Sequence, residues 1–434
     1  MPVENTRLAL SDAATVNPPL SKAVAPDDVV SFVPMADVSD TGHWIGNQTR
    51  RQREVSVGYT PFEERDVLFA KITPCMENGK GFHAIGLVNG VGYGSTEFHV
   101  LRAKPGTNDR FLFHWSMSAE MRKKAEAFMI GSAGQQRVQS SFFAHFTIAK
   151  IDETEQAGAA HVLDAADEAI ATTEALIGKL KAIKAGLLHD LLTRGLDDNG
   201  ELRDPAKRPG DFRSTRLGRL PARWDTLSIN DLAVHVGSGI TPTGGSNVYK
   251  REGVTFIRSQ NVTFDGLLLD DVVFIDERTH RMMARSEVFP HDVLLNITGA
   301  SIGRCCPVAE GLGPANVNQH VCAIRLAKPC REDALFLSTI LASFIGQGQI
   351  DRLNAGSNRQ GLNYRQLRSF IVPWPKEEAE RTLIATKIES AEARFRAEMV
   401  YLAKLKAIKK GLMQDLLSGR VRIPADRTAV NDKG

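Results

Sequence analysis

From residue 159 to residue 191, apolar side chains recur at alternating steps of three and four. The series runs Ala159, Leu163, Ala166, Ile170, then Ile177, Leu180, Ile183, Leu187 and Leu191, with Thr173 its one polar member. That spacing is a heptad seam and predicts a long helix with a narrow apolar stripe. The series returns 225 residues later, from Ile384 to Leu416, and its one polar layer, Glu398, is the counterpart of Thr173. Each helix should run about 40 residues, roughly 60 Å at 1.5 Å per residue. A stripe this narrow, sustained over five heptads, favours helices that pair with each other over two helices each lying on its own domain.

The two helices end on one phrase. Residues 179–192 read KLKAIKAGLLHDLL and residues 404–417 read KLKAIKKGLMQDLL, alike at eleven of fourteen positions. Earlier landmarks recur at nearly the same offset: Asp66-Val67-Leu68 with Asp292-Val293-Leu294, Gly131-Ser132 with Gly356-Ser357, and Phe32 and Val38 with Phe256 and Val262. A unit of about 200 residues is too long for a solenoid repeat, so a domain-plus-helix module is written twice, with an implied internal pseudo-two-fold. Ahead of each helix, DVLFAKIT (66–73), FHVLRA (98–103), DVLLNIT (292–298) and HVCAIRLA (320–327) read as buried strands. Residues 111–129 and 335–350 read as helices. The expected fold class is α/β (mixed α+β). Its parts are a first domain at 1–150, a helix at 151–194, a linker of turn formers at 195–222, a second domain at 223–375, a helix at 376–418 and a tail at 419–434.

Composition narrows the class. The 434 residues are 42% hydrophobic and 24% charged, as in ordinary globular proteins, and no apolar run is long enough to span a membrane. The N-terminus, MPVENTRLAL, lacks the apolar core of a signal peptide. Five cysteines with no CxxC pair argue against a zinc site or disulfide framework and fit a reducing cytoplasm. Net charge is +3, which permits nucleic-acid binding without demanding it.

Catalytic signatures are missing. No Asp-x-Lys or Glu-x-Lys, phosphate-binding loop, HExxH or GxSxG occurs. Asn17-Pro18-Pro19-Leu20 approaches the loop with which amino-methyltransferases hold a flipped base, but Leu20 stands where an aromatic ring is needed. Gly90-Val91-Gly92-Tyr93-Gly94 opens no convincing helix, so it lacks the context of a cofactor loop. We expect no catalytic residues, no metal and no cofactor.

Polar side chains suited to base edges sit in predicted loops. Arg, Gln and Asn make two-pronged contacts with guanine and adenine. The second half offers Arg258, Gln260, Asn261, Asn296, Gln319, Arg359 and Gln360; the first offers Lys71, Thr96, Gln135 and Arg137. Apolar frame positions agree between the copies while these polar tips differ, which suggests one binding task with two targets. Lys179, Lys184, Lys404 and Lys409 lie off the apolar seam and are candidates for docking a partner. Gly186 and Gly411 join them, because glycine inside a helix costs about 1 kcal/mol relative to alanine and a close approach by another helix would explain keeping it.

The chain resembles the DNA-specificity subunit of Type I restriction–modification systems over nearly its full length. The KLKxxKxGLxxDLL helix ends, the LDDNGELRDP linker, PHDVLLNITGASIGR (290–304) and NVNQHVCAIR (316–325) carry the resemblance. The first domain lacks the Gly-x-x-x-Gly of Gly299 and Gly303. The resemblance implies two target-recognition domains joined by two long antiparallel coiled-coil helices, reading a split site on double-stranded DNA. It also implies two methyltransferase subunits and restriction–translocase subunits as partners, and no catalytic centre of its own. Alternatives are an adaptor for a methyltransferase alone, or a self-contained DNA adenine methyltransferase. Antiparallel pairing of helices centred near 174 and 399 would bring Thr173 close to Glu398.

Overall fold

The computed structural model describes residues 7–132, 134–242, 248–355 and 361–423. Its contacts divide the chain into two units, one of residues up to Ala175 together with those from Met399 onward, the other Leu176–Glu398. Each long helix therefore contributes its two ends to different units. No helix among the described residues is long and apolar enough to cross a membrane.

The first unit holds two four-stranded sheets. One is ordered Ala14–Val16, Phe98–Ala103, Val67–Ala70, Gly81–His83, with every neighbour antiparallel. The other is ordered Thr49–Arg51, Val29–Val33, Val91–Gly94, Thr60–Glu63, and its central pair is parallel. Val67–Ala70 is buried at all four positions, which is why it reads as a continuous apolar run rather than an alternating one. The glycines of Val91–Gly94 serve packing: a Cβ on Gly92 would stand 2.3 Å from the Phe62 ring.

The second unit repeats both sheets strand for strand. Ala233–Ser238, Val321–Leu326, Val293–Asn296 and Cys305–Pro307 form the antiparallel sheet. Val273–Ile275, Val254–Ile257, Ala315–Val317 and Glu287–Val288 form the mixed one, again with a parallel central pair. A two-stranded ribbon closes each domain, Arg7–Ala9 with Thr147–Ala149 and Trp224–Ser228 with Ile371–Pro375. The frame positions Val38, Leu68, Phe256, Val262 and Leu294 are all buried.

One buried ion pair is also written twice. Arg102 donates two hydrogen bonds to Asp66, at 2.8 and 2.7 Å, and Arg325 donates two to Asp292 at the same distances. Each carboxylate also accepts a backbone N–H three residues upstream, from Glu63 and Phe289. The residue before each Asp, Arg65 or His291, takes a left-handed backbone conformation that tightens the turn.

The sequence suggests a single helix at 111–129 and another at 335–350, but each is broken. Asp109–Met117 gives way to Ala119–Glu126 at Ser118, and Arg331–Ala342 to Phe344–Asn354 at Ser343. Each serine hydroxyl donates to a carbonyl of the helix before it, Trp115 or Ile340, and accepts from an N–H of the helix after it, Met121 or Ile345. Serine competes in this way for helix-end groups, so it favours a boundary over a helix interior.

The long helices span Glu153–Thr193 and Glu378–Leu417. In the first unit Lys409 pairs with Asp167 and Lys406 with Glu174, so the stretches run antiparallel. In the second, Lys184 pairs with Glu392, while Glu380 accepts from the backbone N–H of Leu196. Lys184–Glu392 and Lys409–Asp167 are the same contact displaced by 225 residues, written once in each unit. The register differs from the expected one: Lys406 reaches the turn holding Thr173 and Glu174, eight residues, or about 12 Å of helix, past Glu398. Thr173 is buried and donates to the Ala169 carbonyl, which satisfies its hydroxyl within its own helix.

The repeated phrase ends in two leucines because both enter a core. Leu191 and Leu192 are buried against Trp224, Phe336 and Leu337 of the second domain, and Leu416 and Leu417 against Phe111, Leu112 and Trp115 of the first. Full burial stabilises by about 1.5–3 kcal/mol per such side chain. Helix starts follow the same rule on the other side, with Ala159, Ala160 and Leu163 in the first core and Ile384 and Ile388 in the second. The 195–222 segment is folded onto the second unit, where Glu380 accepts from Leu196, Arg203 and the Trp224 indole.

Candidate nucleic-acid interface

Three loops of the first domain converge. The Lys71 N–H donates to the Glu97 carbonyl at 2.9 Å, and the Val138 N–H to the Lys71 carbonyl at 2.9 Å. Ile72 bridges Arg137, and the Thr73 N–H donates to the Gln136 carbonyl. Lys71, Thr96, Gln135 and Arg137 are thereby gathered at one end of the sheet, with Thr96 and Gln135 exposed. Arg137 is held by Glu97 through Nε at 2.9 Å and Nη2 at 2.8 Å. His99 and Asn17 support this cluster from beneath. His99 Nε2 lies 2.9 Å from the Val138 carbonyl and Nδ1 3.2 Å from the Asn17 amide, while the Asn17 N–H donates to the Val100 carbonyl and its side-chain Oδ1 accepts from the Val100 N–H. The Asn17-Pro18-Pro19-Leu20 segment is thus a turn locked to a strand.

The second domain assembles the equivalent loops. The Ile297 N–H donates to the His320 carbonyl, the Leu362 N–H to the Ile297 carbonyl, and Thr298 bridges Gly361. Asn296 is fully buried, and its amide donates to the Ser259 carbonyl and the Ser301 hydroxyl, tying in the 258–261 loop. Asn261 is spent inside that loop: it accepts from the Arg258 N–H and donates to the Leu268 and Asp271 carbonyls. Arg258 and Gln260 both reach Asp271, and Gln319 contacts His320. Arg359 and Gln360 lie outside the described residues.

Two orphaned atoms mark this end of the second domain. Asn296 Oδ1 and Arg258 Nε are buried without a hydrogen-bond partner among the described residues. An unsatisfied buried polar group costs about 1–3 kcal/mol, an imbalance that a bound polar ligand can relieve. Gly299, with φ +78°, and Ala300 form an exposed turn beside them.

Elsewhere the chemistry is quiet. Burial pushes the Cys306 and Cys322 thiols up to about 12, and Cys305 higher still, which keeps them protonated and poorly nucleophilic. Among the described residues, His114, Asp164 and Asp167 are the group spaced to hold a metal. Their carboxylates are already matched, Asp164 by Arg110 and Asp167 by Lys409.

On the helices, Lys184 and Lys409 are engaged in the ion pairs described above, whereas Lys179 and Lys404 are exposed. The close approach expected at Gly186 and Gly411 is not made: a Cβ at either position would meet nothing within 4 Å. Ile183 and Ile408, expected in the seam, are instead 63% and 46% exposed. These three pairs of positions form one outward face that occurs twice, and the exposed isoleucines were the part that periodicity alone misassigned.

A frame kept twice, with polar tips that differ, defines a duplicated scaffold. Comparison with known proteins brings the class closer. No family model matches the chain. Over 154 residues it is 39% identical to the Type I restriction enzyme EcoEI specificity subunit of Escherichia coli, covering 35% of this chain and 25% of that one. Over 139 residues it is 39% identical to the EcoAI specificity subunit of the same organism, covering 31% and 23%. The chain thus matches about a quarter of the length of these two relatives. The MjaVIII specificity subunit of Methanocaldococcus jannaschii is 21% identical over 319 residues, 73% of this chain and 71% of that one. In fold, the chain matches the S subunit of a Type I restriction–modification system from M. genitalium with a TM-score of 0.56 at 14% identity, covering 95% of this chain and 96% of that one. A chain from structural work on complex assembly and conformational transition of the type I R-M system gives 0.56 at 15% identity, covering 96% and 98%. In sequence and in fold, the chain resembles Type I restriction–modification specificity subunits.

Proposed function

We propose that this chain is a sequence-specific DNA-binding subunit of a Type I restriction–modification complex. Its two domains read the two parts of an asymmetric, interrupted site on double-stranded DNA. The observation that carries this reading is the duplication itself: both sheets, the Asp–Arg pair and the inter-helix ion pair are repeated, while the loops gathered at the sheet ends are not. Asn261 and Asn296 act in this reading by holding the 258–261 loop, and Arg258, Gln260, Gln319, Lys71, Thr96, Gln135 and Arg137 by meeting DNA. Arg359 and Gln360 are carried in the proposal on their sequence position.

The chain has no chemistry of its own in this reading and delivers that of its partners. The outward face of Lys179, Ile183 and Gly186 recurs as Lys404, Ile408 and Gly411, so one kind of partner can dock twice. Two methyltransferase subunits fit that duplication, and restriction–translocase subunits complete the complex in the cytoplasm. The locked Asn17-Pro18-Pro19-Leu20 turn disfavours a self-contained methyltransferase. Methylome sequencing of cells expressing this chain with the methyltransferase encoded beside it tests the proposal. An interrupted, two-part methylated motif is the expected result, and methylation unchanged by deleting this chain overturns it.

A further inference from the structure

We propose that Arg137 reads a guanine in the half-site of the first domain, and that Glu97 is the positioning residue that aims it. The inference rests on the DNA-reading assignment above and sharpens it to one side chain and one base. A guanidinium has five N–H donors. Here Nε and one donor of Nη2 are taken by Glu97, and one donor of Nη1 by the Gln135 carbonyl at 3.1 Å. One N–H remains on each Nη nitrogen, and the side chain keeps 39% of its surface exposed. A pair of guanidinium donors matches the O6 and N7 acceptors that guanine presents in the major groove.

Two observations separate this pair from an ordinary structural ion pair. One scaffold pair of this fold occurs in both domains, as Asp66–Arg102 and Asp292–Arg325. Glu97–Arg137 occurs in one. By strand register, the Glu97 position is filled in the second domain by His320 and the Arg137 position by Gly361. A device present in one copy and replaced in the other is not required by the shared frame, which leaves it free to differ with the target.

Charge separates a base from a phosphate. The carboxylate beside Arg137 brings the pair close to neutral, so a phosphate would meet the Glu97 charge along with the guanidinium. A guanine edge carries no net charge and pays no such penalty. The two-pronged clamp also fixes the long side chain before DNA arrives, which reduces the ordering cost of binding.

The test uses full-length protein and a duplex library randomised across both half-sites. The wild type should select an interrupted site with a fixed guanine in one half. Arg137→Ala should lose the preference at that one base pair, lowering affinity for the guanine site on the order of ten- to a hundredfold, while the other half-site is selected unchanged. That unchanged half-site shows that the variant is folded. Arg137→Lys, which keeps the charge but not the paired donors, should behave like alanine at that base pair, and Glu97→Gln should weaken the same preference partially. An equal loss for every sequence would make Arg137 a phosphate contact and overturn the inference, as would selection identical to wild type. A wild-type protein that selects no sequence would overturn the DNA-reading assignment along with it.

Discussion

At the scale of single residues, the structure separates side chains that share a chemistry. Asn261 and Gln260 are neighbours with the same amide group, yet Asn261 is 1% exposed and tied to three backbone groups, while Gln260 stands outside and reaches Asp271. Asp109 shows the same dependence on surroundings. Burial alone would raise its carboxyl, but His83 at 2.6 Å and Arg65 outweigh burial and hold it well below the usual carboxylate range. A depressed folded pKa contributes stability that is complete above the unfolded value, about 3.9, and is lost as pH falls toward the folded one. Thermal melts between about pH 5 and pH 3 should therefore show the protein losing stability toward the acid end. Asp109→Asn should be less stable at pH 5 and show a shallower acid loss. An unchanged slope in the variant would assign that loss to other carboxylates. The Glu97–Arg137 clamp was not legible in the sequence, because 40 positions separate its members and no periodicity connects them.

At the scale of elements, each long helix is a two-ended tether. Ala159 to Leu163 lie in the core of the first domain, and Leu191 and Leu192, on the same helix, in the core of the second. Truncating a buried leucine costs about 2–5 kcal/mol. Leu191→Ala should accordingly loosen residues 223–375 more than residues 7–150, although the helix belongs by sequence to the first half. Leu416→Ala should do the reverse. Hydrogen exchange read by mass spectrometry would resolve the two, and loss of protection in the preceding domain in both variants would refute the exchange of helix ends. The heptad pattern gave the helices themselves, within one or two residues at their ends. It also placed Ile183 and Ile408 in the seam, whereas the covered face beside Ile183 runs through Leu180, Lys184 and Leu187 and leaves that isoleucine outside. The breaks at Ser118 and Ser343 were overlooked for a related reason: apolar periodicity runs through them, and only the serine in each marks the boundary.

At the scale of the whole molecule, duplication sets what can vary independently. The tips proposed to meet DNA are carried on loops at the ends of the sheets, and the helices carry none of the proposed base contacts. Inserting four residues, just over one helical turn, at matching positions in both helices adds about 6 Å. DNA rises 3.4 Å per base pair, so the tolerated spacer between half-sites should lengthen by roughly one or two base pairs while the read bases stay the same. Methylome sequencing of cells carrying the lengthened chain checks this. Altered base identities with an unchanged spacer would show that the helices take part in readout.

The repeat, the helical stripes, the buried strand runs and the unlike polar loops were determined by the sequence alone. They follow from short-range rules: a period of three and four selects a helix face, a continuous apolar run marks a strand buried on both sides, and two copies of one phrase reveal a shared frame. Only the tertiary structure decided which domain each Leu-Leu pair enters, that Lys406 and not residue 398 meets the turn at 174, and that Glu97 closes on Arg137. Those outcomes depend on the fit between surfaces far apart in the chain. An apolar stripe says that something will cover it, but shape and charge across the contact choose what does, and neither is written in the local pattern of residues.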